Sequence, residues 1–181
     1  MLHLLCQPAM PNNLFKPTPL RGAAQFWRWV AMEVLQARPG QAGALTRISI
    51  AAKSHWGYPD ELIRGWKGSL TVTSESIGSS PTFVALHEGE LVGFYQLSSG
   101  PPPVRLEHLW VRPDQMGKGV GRTLLGHALN QARSTLTIDS DPHAETFYVA
   151  CGARRVGQVP APVPGQPERF LPRMELRYVR T

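Results

Sequence analysis

The stretch LEHLWVRPDQMGKGVGRTLLGHAL, Leu106 to Leu129, is where the sequence offers the most chemistry. Gly117, Gly119 and Gly121 stand immediately ahead of a segment whose Val120, Leu124, Leu125, Ala128 and Leu129 fall on one helical face. Glycine lacks Cβ, so the chain can turn tightly there and bring several N–H groups toward one point. At a helix start those unbonded donors add to the positive end of the macrodipole, an arrangement suited to a diphosphate. Lys118 and Arg122 would add charge. The plainer alternative is a tight strand-to-helix connection with no ligand. Two familiar phosphate motifs are excluded: the glycines match neither GxGxxG after an early parallel strand nor GxxxxGK[ST].

Other groups that could act are scattered. Glu107 lies on a strand, and alternation puts Arg105 and Leu109 on its face and His108 on the opposite one. Lys53, His55, Trp56 and Tyr58 form a polar and aromatic cluster, readable also as a small apolar cap with a Gly57-Tyr58-Pro59 turn. Asp139 and Asp141 could pair as carboxylates, although a place at a helix start explains Asp141 without catalysis. His143 reads as a helix-start polar residue and Cys151 as a buried small one. The two cysteines, Cys6 and Cys151, are far apart with no CxxC or Cys/His ligand spacing, so neither a disulfide framework nor a metal site is expected.

The elements that must hold these groups follow in regular order from Met32. EVLQAR (33–38) alternates as a strand; 44–54 and 59–66 read as helices, the second opened by proline and two acids; a Ser/Gly linker follows. Residues 82–87 and 90–97 around Glu88-Gly89 read as a hairpin and 104–111 as a strand. A helix over 119–133, a strand at 136–138, a helix over 144–150 and strands at 154–159 and 173–179 complete the pattern, with 160–172 as a proline-rich loop. This is an α+β domain with an antiparallel-rich mixed sheet.

Residues 1–31 differ: four prolines and little periodicity make them an N-terminal appendage, flexible or a non-native start, since a translation start at Met32 would discard only this segment. With 181 residues, 42% hydrophobic and 18% charged, the chain is long and apolar enough for one folded domain over 32–181. The net charge is +6, but Lys16, Arg21 and Arg28 supply half of it within the appendage, and the remainder is mixed. No basic face emerges, so no nucleic acid partner is expected. Neither a signal peptide nor eighteen consecutive apolar residues is present; no membrane association and a cytoplasmic location are expected.

MGKGVG, Met116 to Gly121, resembles the [QR]xxGx[GA] phosphate motif of the GNAT superfamily of acyl-CoA-dependent N-acyltransferases, with Met116 in the Gln/Arg position. DPHAETFYVACGARRVG, Asp141 to Gly157, is similar to the family's NxxAxxxYxxxGF element, with Ala144, Tyr148 and Gly152 in register and Asp141 where asparagine is common. AKSHWGYP and PGQPERFLPRMEL resemble a poorly characterised bacterial subgroup. The likeness covers residues 32–181 and implies a splayed, mixed, mostly antiparallel sheet with helices on both faces.

What the resemblance implies about function is an acetyl-CoA-dependent N-acetyltransferase that transfers acetyl directly to an amine of a small molecule or protein, with acetyl-CoA as co-substrate and no metal. Acetyl-CoA would lie against Leu109, Trp110 and Val111, its diphosphate over Met116, Gly117, Lys118, Gly119, Val120, Gly121 and Arg122, with Ala144 and Phe147 nearby. At Met116 the backbone N–H would do the binding. Tyr148 would protonate the departing thiolate, unless it only packs with Phe147; Glu107 would be the base, directly or through water, unless it is merely solvated. Lys53, His55, Trp56 and Tyr58 would wall the acceptor pocket. The family's frequent dimerisation leaves a homodimer open. The rival readings are a catalytically silent CoA-binding module of the same fold and a nucleic-acid-associated protein that uses the N-terminal arm.

Overall fold

Seven strands form one sheet in the computed structural model, which describes residues 32–179. In chain order they are β1 (Glu33–Gln36), β2 (Thr82–His87), β3 (Glu90–Leu97), β4 (Val104–Val111), β5 (Leu136–Asp139), β6 (Arg154–Pro160) and β7 (Phe170–Leu176), and across the sheet they run β1-β2-β3-β4-β5-β7-β6. Every neighbouring pair is antiparallel except β4 and β5. That parallel pairing is brief: Val104 faces Leu136 and Arg105 faces Thr137, after which the strands diverge. The expected splayed α+β sheet is therefore present, and the splay is what opens the site.

Helices cover both faces. On one side α1 (Ala42–His55) buries Leu45, Ile48 and Ala52 at helical spacing, the first two in a core shared with Val84 and Phe94 of the sheet. The same period carries Ser49 and Lys53 inward, which is how a lysine comes to be buried. On the other side α5 (Val120–Ala132) buries Val120, Leu124, Leu125 and Ala128 against Tyr95, Leu106, Leu136 and Met174. The short α6 (Glu145–Ala150) buries Tyr148 in that core.

Two expectations need correction. The Ser/Gly-rich stretch after α2 (Asp60–Gly65) is not a linker: it holds α3 (Lys67–Leu70) and α4 (Ser74–Ser79). The side chain of Thr73 accepts from the Ser76 N–H to cap α4, and Leu70 and Ile77 are buried. A single turn is too short to display a period, so the sequence shows only its polar caps. The last strand starts at Phe170 rather than Arg173, and Pro172 lies inside it. Pro172 sits one residue beyond the end of the β5 ladder, where its carbonyl accepts from Ser140 N–H at 2.8 Å and its missing N–H interrupts no pair. The appendage expected over 1–31 lies outside the described residues. No helix among the described residues is long and apolar enough to cross a membrane.

Candidate active site

Where β4 and β5 part, a cleft of about 580 Å³ opens. One wall is Leu106, Glu107, Leu109, Trp110 and Val111 of β4; the other is Ile138, Asp139, Ser140 and Asp141 at the end of β5. Met116, Gly117, Gly119, Gly121 and Arg122 close one end, and Ala144, Phe147 and Tyr148 line it from the α6 side.

The glycine segment is shaped for an anion. Gly117 and Gly119 have φ of +75° and +86°, left-handed values that an L side chain resists, and Gly119 is the N-cap residue of α5. The first amide bonded back into the helix is that of Thr123, to the Gly119 carbonyl at 3.0 Å. The N–H groups from Gly117 through Arg122 make no backbone hydrogen bond, so a continuous row of donors is available at the positive end of a 13-residue helix. Met116 is not part of this row, because its amide already donates to the Pro113 carbonyl at 3.3 Å. Gly121 serves another need: a Cβ there would stand 3.2 Å from the Phe147 ring, so glycine lets α5 and α6 close together. Val120 turns its side chain into the core, and Lys118 is exposed, with Nζ 3.4 Å from the Gln115 Oε1. Both contribute through the backbone row rather than through the cleft wall.

Tyr148 lines this cleft from a position otherwise buried. Burial raises its pKa well above the ordinary phenol value, so it holds its proton across the physiological range. A protonated hydroxyl in an apolar wall can donate to an anion that forms beside it.

Beyond Glu107 lies a second cavity of about 420 Å³ that shares Glu107, Trp110, Asp139 and Asp141 with the first. His108 also lines it, contrary to simple alternation. The β3–β4 ladder shifts register between Gln96 and Leu97: Gln96 faces His108 while Leu97 faces Leu106, leaving Glu107 as the extra residue of a bulge. Glu107 and His108 are consequently presented to the same cavity. Burial lowers the His108 pKa, and Trp110 Nε1–H donates to its Nδ1 at 3.0 Å. Indole nitrogen is donor only, so Nδ1 must be the unprotonated nitrogen and Nε2 carries the hydrogen. The neutral ring therefore offers a donor rather than a base to the cavity. Glu107 is exposed and has no hydrogen bond or ion pair among the described residues.

The expected acceptor cluster is divided. Lys53 is buried and bonds Asp141, and the Tyr58 hydroxyl donates to the same carboxylate at 3.0 Å. Burial lowers the Lys53 pKa; at Asp141 burial opposes ionisation, but Lys53 outweighs it and holds the carboxyl below its usual range. Lys53 also lies 4.4 Å from the Trp66 ring centre. Trp56 faces the first cleft and stacks on His143 with ring centres 5.4 Å apart. His55 is exposed and lines neither cavity. Asp139 and Asp141 are not a carboxylate pair, since Asp139 is held by Arg173 at 2.7 Å. His143 is a cleft residue as well as a helix-start one, and Cys151 is only partly buried.

Trp66, Arg169 and Leu171 of the second cavity were not indicated by sequence. Arg169 arrives from the 161–169 loop, whose contact with residues 53–66 no local pattern signals.

A family model described as an acetyltransferase (GNAT) domain matches residues 58–160, more than half of the chain. Among solved structures, the PaiA N-acetyltransferase of Thermoplasma acidophilum, in complex with coenzyme A, is 18% identical with a TM-score of 0.66, over 82% of this chain and 99% of that one. Apo YjaB from Escherichia coli is 25% identical with a TM-score of 0.61, over 83% and 99%. YncA of Salmonella typhimurium, solved with acetyl-CoA, is 18% identical with a TM-score of 0.59, over 83% and 96%. A comparison with curated proteins finds no match.

Proposed function

The chain belongs to the GNAT acetyltransferases, and from that premise we propose that it moves an acetyl group from acetyl-CoA directly to an amine. The observation that carries this reading is the row of unbonded amides from Gly117 to Arg122 at one end of the cleft that Tyr148 lines. Those amides would hold the diphosphate. The six residues of β4 beyond Arg105, no longer paired with β5, leave backbone groups along which the pantetheine arm can lie as an added strand.

The chemistry then needs little more than placement and two proton transfers. The amine nitrogen bonds to the carbonyl carbon as the carbon–sulfur bond breaks. Glu107, at the junction of the two cavities, takes the nitrogen's proton, directly or through one water. Tyr148, still protonated, supplies one to the sulfur. No residue of the chain is acylated.

The test is calorimetric titration with CoA together with thiol release from acetyl-CoA across a panel of amines. Binding plus amine-dependent release supports the reading. Binding without release on any amine would favour a silent module, and no binding would remove the reading altogether.

A further inference from the structure

The second cavity contains six ionisable side chains: Lys53, Glu107, His108, Asp139, Asp141 and Arg169. Four drop out of its charge inventory, in pairs or by neutrality. Asp141 is matched by Lys53, Asp139 by Arg173, and His108 is neutral with its Nδ1 occupied. Two charges remain. Glu107 meets no cation among the described residues. Arg169 meets the Ala161 carbonyl at 3.2 Å, the Trp66 ring at 5.2 Å and the Tyr58 hydroxyl, but no carboxylate.

One lone carboxylate and one lone guanidinium therefore face a cavity whose remaining walls include Trp66, Leu70, Trp110 and Leu171. Arg169 is partly buried with no carboxylate to match it, which is unfavourable, whereas Glu107 is exposed; a ligand that brings both opposite charges relieves the first and gives the second a partner. The guanidinium fork matches a carboxylate in particular, because it can give two parallel N–H bonds. It is also pre-positioned. The Ala161 amide bonds the Arg169 carbonyl at 2.8 Å, and Val163 bridges Gln166, so the β6–β7 loop presents the side chain from a closed hairpin.

We infer that the acceptor is a zwitterionic amino carboxylate, a free amino acid with an apolar body, its amino group at Glu107 and its carboxylate at Arg169. A simple cationic amine would satisfy Glu107 and leave Arg169 unmatched. A polyamine would put further positive charge beside Arg169 and Lys53. The inference rests on the acetyl-transfer reading and names its substrate class.

The experiment uses the full chain with saturating acetyl-CoA and matched pairs: leucine against isoamylamine, phenylalanine against phenethylamine, with an N-terminal peptide amide as a third arm. Each amino acid is expected to exceed its decarboxylated partner in kcat/KM by about tenfold or more, the loss typical of a charged hydrogen bond. The peptide amide should fall with the amines. Arg169→Gln is expected to collapse that preference to about twofold, with CoA affinity showing that the variant is folded. Equal or better use of the carboxylate-free amines, or of the peptide amide, overturns the assignment in the unaltered protein, and so does an Arg169→Gln variant that keeps the preference. Amines acetylated without regard to carboxylate remove the amino acid assignment alone. Absence of CoA binding, or of any acetylation, removes the transfer reading with it.

Discussion

Lys53 and Asp141, 88 residues apart in the chain, meet as a buried ion pair that ties the last turn of α1 to the junction between β5 and α6. Each side chain is only about a tenth exposed, at 10% and 11%. Asp141 also receives the Tyr58 hydroxyl and the His143 amide, so three donors converge on one carboxylate. Removing the cation strands that charge. Lys53→Met is expected to cost about 3 kcal/mol in urea unfolding, and pairing it with Asp141→Asn should recover part of the loss. A cost below about 1 kcal/mol would show that the pair is not structural.

Tyr148→Phe keeps the ring that packs in the core and removes only the proton donor. Turnover is expected to fall about 100-fold, within the usual range for a lost general acid, while CoA affinity stays within about threefold. In the unaltered enzyme, burial raises the phenol pKa, so its proton is retained to higher pH than in a free tyrosine. The kcat–pH profile should accordingly show no loss traceable to this group below about pH 10. An alkaline limb near pH 8 that disappears in Tyr148→Phe would contradict the direction.

His108 makes the protein sensitive to acid. Its folded pKa lies below the unfolded value near 6.5, so between the two the unfolded chain binds more protons and stability falls as pH drops. The slope from one such group is at most about 1.4 kcal/mol per pH unit. His108→Gln, which keeps an acceptor for the Trp110 indole, should flatten the stability curve between pH 7.5 and 5.5. His127, also lowered by burial, leaves a residual slope of the same sign. Identical slopes in both proteins would exclude His108 as a source.

Gly119→Ala tests the amide row without altering charge. At φ +86° an alanine is strained by about 1 kcal/mol, and relief comes only by turning neighbouring amides away. CoA binding is expected to weaken about tenfold, whereas Lys118→Ala, which removes an exposed side chain and leaves the backbone, should change it far less. The reverse order would mean that side-chain charge, not backbone geometry, holds the phosphates.

The parts of the site that follow the chain were legible in it. The glycine run, the apolar face of α5 and the Glu88-Gly89 hairpin each carry a local signature, and each has its expected form. The parts that depend on pairing across the sheet were not. A bulge at Glu107 has no sequence mark, yet it moves His108 to the cavity and overturns a period-2 reading. Asp141 looks like a helix-start residue because it is one, its carboxylate accepting the His143 N–H as a cap, and only the tertiary fold adds Lys53 and Tyr58. Arg169, in a proline-rich loop, gains meaning only once Trp66 lies beneath it.

The seam between the two leaves of the sheet has a mechanical corollary. With β4 and β5 joined by two residue pairs, the leaves are stitched at one end and free at the other. A thread laid along the loose edge of β4 would complete the weave, so the loaded protein should resist pulling and deuterium uptake as one fabric where the empty one gives along the tear.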